Sequence, residues 1–408
     1  MTQQRQDRMQ DCMTEDARDA DLVALASTAG VPAPSAGNVR AAPPVAAPIP
    51  FIENKIYDLG RLSDLLSLSI SQNHHANGGP VSGLLESMVA FLTLQPAQRR
   101  VIAVSSGTAA LHMACGLHAL KARRPGFRWV TSAFNFFSAR VGPLSGARVI
   151  DCDAHGGFDL EALRALPPDS YDGVVYTNVF AQQSRWDEVA AFCAHHGKSI
   201  VVDNATGLLD RPPEALQPGS PIEIISAHHT KPWGVGEGGF MLCDAEDEAT
   251  LRQLANFAAL LPDGAAFASS NYKISDLSAA AIIDRLERMP SWSAHYHMQE
   301  RRMHALMAEA AAEIEPFAGA TRPRSPRAHT PFLSPVPVDA TRVAGPVTLR
   351  KYYRPLPAQG PTPNADALFA RIFSLSNAPE MRLARNDKII AQVLRMIERS
   401  AKAAQRAA

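Results

Sequence analysis

From Val101 to Leu242 the chain alternates short apolar runs with stretches of helical periodicity, and this alternation restricts the fold more than any other feature of its 408 residues. Val101-Ile102-Ala103-Val104, Trp129-Val130, Ala147 to Ile150, Gly173 to Tyr176, Ser199 to Val202, Ile222 to Ile225 and Gly238 to Leu242 read as buried strands. Ala109 to Leu120 and Trp186 to His196 carry helical periods between them. Strands that alternate with helices pair in parallel, and helices must then cover both faces of the sheet. Asn271 to Met289 is expected to be a further helix, opened by Ser275-Asp276 and ended by Pro290. The remainder, 291–408, mixes helical runs with proline-rich turns and is expected to form a smaller second domain, which leaves 51–290 as the large one. Ahead of both, 1–50 reads as a mobile extension, polar at first and rich in proline and alanine from Ala41 to Pro48.

Hydrophobic residues make up 46% of the chain, enough to fill such a core without disulfides or a structural metal. The 40 lysines and arginines balance 40 aspartates and glutamates, so no overall basic field directs the chain to nucleic acid or to an anionic membrane. No apolar run approaches the roughly 20 residues of a membrane span. The amino terminus, with Arg5, Asp7, Arg8 and Asp11, lacks an apolar signal core. The five cysteines are scattered without C-x-x-C spacing, which points to a reducing, cytoplasmic setting. Adjacent histidines such as His195-His196 point away from each other, and no metal site is expected.

Three segments carry residues suited to chemistry. Ser226 to Gly239 reads S-A-H-H-T-K-P-W-G-V-G-E-G-G and sets Lys231 on a turn between two expected strands. Its glycines allow the backbone to approach a ligand closely. A desolvated lysine there has a depressed pKa and forms a Schiff base with a carbonyl; the segment also fits a solvated lysine on a glycine-rich hairpin. Asp203 ends an apolar strand, where open α/β sheets place their ligands. A carboxylate at that point pairs with the pyridinium nitrogen of pyridoxal 5'-phosphate (PLP), and a helix cap is the structural alternative. Finally, Val101 to Val104 leads through Ser105-Ser106-Gly107-Thr108 into a helix, an arrangement that suits a phosphate or an ordinary cap.

Taken in chain order, these segments resemble the DegT/DnrJ/EryC1/StrS aminotransferases, the sugar aminotransferases among fold-type-I PLP enzymes, over about residues 77 to 380. The matching motifs are N-G-G-P-V-S-G-L-L-E at Asn77 to Glu86, S-S-G-T-A-A-L-H at Ser105 to His112, V-V-D-N-A at Val201 to Ala205, and the Lys231 segment with its G-E-G-G. N-Y-K-I-S-D-L-S-A-A at Asn271 to Ala280 and K-Y-Y-R-P-L at Lys351 to Leu356 complete the set. The resemblance implies an aspartate-aminotransferase-like α/β fold, with a large domain whose mainly parallel sheet is sandwiched by helices and a smaller C-terminal α/β domain. It implies that Lys231 holds PLP as a Schiff base and shuttles the proton, that Asp203 faces the pyridine nitrogen, and that Thr206 reaches the ring oxygen. Phe136 would stack on the ring, although a core role beside Phe134 and Phe137 stays open. Gly107, Thr108, Ala109 and Ser226 would hold the phosphate, with Asn271 reaching it from a neighbouring subunit, which makes the expected unit a homodimer with shared active sites. His228 and Tyr353 fall on the substrate side.

Departures from the family pattern cluster on that side. Where the family has His-x-x-Gly the chain reads Asn178-Val179-Phe180-Ala181, and Pro357 stands where a histidine usually follows Y-x-P-L. Lys231 argues against the dehydratase branch, in which histidine replaces it. The implied activity is transfer of an amino group from an amino acid, L-glutamate first, to a nucleotide-linked 3- or 4-keto-deoxysugar. An aminocyclitol or another natural-product carbonyl is the alternative acceptor, and a PLP-binding regulatory or assembly protein is the non-catalytic alternative.

Overall fold

A computed structural model describes residues 48–408 apart from 124–125, 213–215, 262–266, 311–312, 320, 341–342 and 408. The extension expected over 1–50 therefore lies, up to residue 47, outside the described residues. All seven apolar runs form strands: β1 (Arg99–Val104), β2 (Trp129–Ser132), β3 (Arg148–Ile150), β4 (Gly173–Thr177), β5 (Ser199–Asp203), β6 (Ile222–Ser226) and β7 (Gly239–Asp244). They lie side by side in the order β1-β7-β6-β5-β4-β2-β3. Strands β2 to β6 pair in parallel, whereas β7 runs antiparallel to both β1 and β6. The α-helices are α1 (Leu59–Gln72), α2 (Pro80–Leu92), α3 (Gly107–Lys121), α4 (Leu160–Arg164), α5 (Asp187–His195), α6 (Glu248–Ala255), α7 (Asp276–Glu287), α8 (Met289–Ala310), α9 (Pro363–Arg371) and α10 (Asn386–Ala407).

Successive strand residues point to opposite faces, which divides the core in two. Ile102, Val104, Val175, Val201, Ile224 and Met241 pack on one face against α3, whose residues from Ala109 to Leu117 are buried. Val101, Ala103, Ile225, Phe240 and Leu242 pack on the other with Leu65 of α1, Leu85 of α2 and Ile282 of α7. A second sheet, β8 (Glu315–Pro316), β9 (His329–Leu333), β10 (Leu349–Arg350) and β11 (Ile372–Ser376), is antiparallel in the order β10-β11-β9-β8. Its Phe332, Phe373 and Leu375 share a cluster with Met303 of α8 and Val393 of α10. Among the described residues no helix is long and apolar enough to cross a membrane.

The helix expected over Asn271 to Met289 needs correction at both ends. Asn271 to Ile274 is extended rather than helical, because Lys273 bridges Val104 and Asn271 bridges Asn256; the helix starts at Asp276, where the Ser275 side chain accepts from Ser278 N–H. Pro290 ends nothing. It is the second residue of α8, in a first turn whose N–H groups have no intrahelical partner, so its missing donor costs little there.

Candidate active site

Strand ends and one helix start converge on a cavity of about 350 Å3. Parallel neighbours β4 and β5 put Thr177 beside Asp203 at their carboxyl ends, and Ser226 ends β6 opposite Gly239. Thr177, Asp203 and Ser226 all line the cavity, with Ser106, Gly107 and Thr108 from the start of α3. The packing here is tight enough to dictate glycine. A Cβ on Gly107 would lie 2.9 Å from Ser226 Cβ, and one on Gly239 would lie 2.5 Å from Gly107 N. Ser106 is the cap of α3, its Oγ accepting from Ala109 N–H at 3.1 Å. Ala109 is therefore buried with its amide already used, and it is absent from the cavity wall, unlike Gly107 and Thr108.

Asp203 is buried and accepts from Ala205 N–H at 3.1 Å through Oδ1. Burial pushes its carboxyl up to about 6, against the opposing pull of that hydrogen bond and of Lys231. Lys231, half-buried on the cavity wall, is pulled down to about 8 by burial, with Asp203 opposing. The solvated-hairpin reading of its segment is thereby set aside. The turn beneath it is built from backbone bonds, Lys231 N–H to His228 O at 2.8 Å and Gly234 N–H to Lys231 O at 3.0 Å, and from buried Trp233, whose Nε1 donates to Ser226 O at 2.8 Å. Gly234 admits no side chain, since a Cβ would lie 2.1 Å from His228 O.

Phe136 is not a core aromatic. It is 53% exposed and lines the cavity, while Phe134 is buried and Phe137 faces away at the surface. Asn135 fixes it: the Asn135 Oδ1 accepts from Phe136 N–H at 2.7 Å and from Thr177 Oγ1 at 2.9 Å. Thr206 lines the cavity and donates to Asn178 O at 3.2 Å. Tyr353 is buried against Phe180, ring centroids 4.9 Å apart, and burial raises its phenol. His228 lines the wall with its Nδ1 2.9 Å from Thr230 Oγ1 and its Nε2 3.4 Å from Glu237. Burial lowers its pKa, with Glu237 opposing, so Glu237 meets a cavity histidine through its side chain. Asn271 is exposed and lies outside the cavity wall of this single chain.

Several wall residues escape a reading of the sequence. Phe51 and Ile52 arrive from the segment before α1; Phe180 comes from the altered Asn178-Val179-Phe180-Ala181 stretch, where it adopts φ 55°. His329, at the start of β9, stacks on Tyr352 at 4.7 Å and has no hydrogen-bond partner on Nδ1 among the described residues. Burial, then Lys231 and the arginines Arg327 and Arg350, pull it down to about 3, so it is a neutral imidazole at any physiological pH. Arg327, also on the wall, gives Nη2 to Glu300 and leaves Nε and Nη1 without partners among the described residues. The only sequence signal for this group was the run of departures around Asn178.

A family model described as the DegT/DnrJ/EryC1/StrS aminotransferase family matches residues 69–394. The chain belongs to that family. It is thus a PLP-dependent aminotransferase, and the non-catalytic alternative falls away. Solved structures with the same fold include DesI in the presence of its TDP-sugar product, at 22% identity over 88% of this chain and 95% of that one, with a TM-score of 0.68. 3-Amino-5-hydroxybenzoic acid (AHBA) synthase matches at 19% over 85% and 97%, TM-score 0.67. PseC of Helicobacter pylori, an aminotransferase of pseudoaminic acid biosynthesis, matches at 16% over 85% and 98%, TM-score 0.68. For this DegT-family chain these likenesses establish the fold, that of fold-type-I PLP enzymes.

Proposed function

We propose that the chain moves an amino group from L-glutamate to a keto group of a nucleotide-linked 3- or 4-keto-deoxysugar, with Lys231 as the residue that anchors the cofactor. The observation that carries the reading is one cavity wall holding a lysine pulled down toward neutrality, a buried carboxylate at a strand end and an open helix start. These residues fit PLP. The Gly107 and Thr108 amides and the Thr108 and Ser226 hydroxyls suit its phosphate, Phe136 offers a ring face, and Asp203, costly to ionise while buried alone, would regain its charge opposite a pyridinium nitrogen. When bound, PLP supplies an electron sink for the negative charge left after a C–H bond beside nitrogen is broken.

The chain's own part is to place and protonate. A Lys231 amine near 8 is partly unprotonated at neutral pH, which suits it to attack the cofactor's carbonyl carbon and, once displaced by an incoming amine, to carry a proton on Nζ. Tyr353, held protonated, and Thr206 line the ring side. His228, His329 and the aromatic walls Phe180 and Tyr352 face the acceptor's part of the cavity and exclude water from it. The reading includes a homodimer in which Asn271 serves the adjoining site; a sedimentation mass of one chain would remove that part.

Two observations favour a second acceptor class, an aminocyclitol or another natural-product carbonyl. Phe180, from the stretch that departs from the family pattern, sits on the cavity wall, and the name of the AHBA synthase neighbour specifies an aminobenzoic acid product. The test is the visible spectrum of the PLP-loaded protein before and after L-glutamate, followed by a panel of keto acceptors scored for amino product. Conversion of the yellow form by glutamate, then its return with a nucleotide-linked keto sugar, is the expected result. Return only with a keto cyclitol moves the assignment to the second class, and a spectrum indifferent to every amino donor rejects both.

A further inference from the structure

Residues just before α1 cross the molecule and end at the Lys231 turn. Ile49 bridges Val347, and Ser376 of β11 donates to Phe51 O at 2.7 Å, so the segment begins against the second sheet. Phe51 and Ile52 then enter the cavity wall. Four residues past Phe51, Lys55 Nζ donates to three carbonyls of the turn: His229 O at 2.5 Å, Lys231 O at 2.5 Å and Gly234 O at 2.6 Å. A neutral amine has only two N–H groups, so this contact set requires the ammonium form. Neighbouring side chains hold the segment in place. Glu53 accepts from Arg285 Nη1 at 3.3 Å, from Arg285 Nη2 and from Tyr296 Oη at 2.8 Å, and Arg285 Nε in turn donates to Pro232 O, the carbonyl next to Lys231, at 2.8 Å.

Four consecutive-region carbonyls of the turn, at 229, 231, 232 and 234, are therefore gripped by two cations that belong to other parts of the chain. The grip on Lys231 O matters most, because fixing that peptide fixes the direction in which the Lys231 side chain leaves the backbone. A turn tied only by its own two backbone bonds would leave that direction soft, and a misplacement of about 1 Å is enough to cost on the order of a hundredfold in rate. Burial and then Arg285 pull Lys55 down to about 7, while the three carbonyls favour its charged form and oppose that pull. Lys231, Glu53 and Arg285 are the charged groups it faces, and His228 feels its charge.

We infer that Lys55 is a positioning residue: its ammonium group ties the turn that carries Lys231 and so sets where the Lys231 amine stands in the cavity. This rests on the reading of Lys231 as the cofactor's anchor. The test uses the full chain as wild type, Lys55→Met, Lys55→Arg and Lys231→Ala, each loaded with PLP. Three quantities are read: thermal midpoint of the cofactor-free protein, dissociation constant for PLP, and the pH midpoint of the bound cofactor's visible band. Lys55→Met is expected to keep its fold, to weaken PLP about tenfold, and to move the pH midpoint by about half a unit or more. Lys55→Arg, which restores a multi-donor cation, is expected to recover most of both shifts. Wild-type affinity and midpoint in Lys55→Met overturn the inference. So does a Lys55→Arg that restores thermal stability and leaves the midpoint displaced, since Lys55 would then be merely structural; this comparison also decides the matter if Lys55→Met does not fold. A visible band that survives in Lys231→Ala refutes the anchor reading instead, and is distinguishable from either result.

Discussion

Burial sets Asp203 and Lys231 against their own charges, and in the cofactor-free chain only their mutual attraction and the Ala205 N–H offset it. For Asp203 the consequence is a pH dependence with a definite sign. Below about pH 4 the carboxyl is protonated in both folded and unfolded chains; between about 4 and 6 the folded chain keeps a proton that the unfolded chain releases. Its contribution to stability therefore falls as pH rises through that window, by on the order of 2 to 3 kcal/mol. Asp203→Asn should remove the fall. Urea denaturation of cofactor-free wild type and variant across pH 4 to 7 measures it, and parallel profiles would show that Asp203 is not the group responsible. At this scale the sequence was legible where a residue stood at a strand end or in a glycine-rich turn, as Asp203, Gly107 and Lys231 do. It was silent about Phe180, His329 and Arg327, whose places on the wall are set by packing between segments far apart in the chain, and it misread Ala109, whose amide the Ser106 cap consumes.

Among the elements, α7 shows how a motif can be legible in kind and not in cause. Ser275-Asp276 signals a helix start, and Ser275 is indeed the cap. Asp276, by contrast, is completely buried and serves two other helices: it accepts from Ser69 Oγ of α1 at 2.6 Å and from Val81 and Ser82 N–H of α2 at 3.2 and 2.9 Å. The adjoining Gly79 is required by the same contact, because a Cβ would lie 2.3 Å from Asp276 Oδ2. Asp276→Ala leaves buried donors on both helices unsatisfied and should cost about 2 to 4 kcal/mol, with Ser69→Ala nearer 1. Chemical denaturation gives both figures; an Asp276→Ala cost below about half a kcal/mol would mean that water replaces the carboxylate without penalty. The seven strands were readable because each is a short apolar run, most of it buried on both faces. Asn271 to Ile274 was misjudged because its extended form depends on Val104 and Asn256, partners that no local periodicity reveals.

Over the whole molecule, the cavity is assembled from Phe51 at one end of the described chain to Tyr353 near the other, with strand ends, one helix start and the second sheet all contributing. Family membership followed from motif order alone, since six short segments kept their sequence along the chain. The segment before α1 carried no motif, and its role in closing the cavity and gripping the Lys231 turn becomes visible only when 174 residues of separation between Lys55 and His229 collapse to a hydrogen bond. That convergence puts two lysines close together in the site, and the account assigns them different tasks: Lys231 bonds to the cofactor and Lys55 to the backbone beneath it. Borohydride reduction of the PLP-loaded protein followed by peptide mapping separates them directly. The phosphopyridoxyl group is expected on Lys231 alone; its recovery on Lys55, on another lysine or on none would contradict the account.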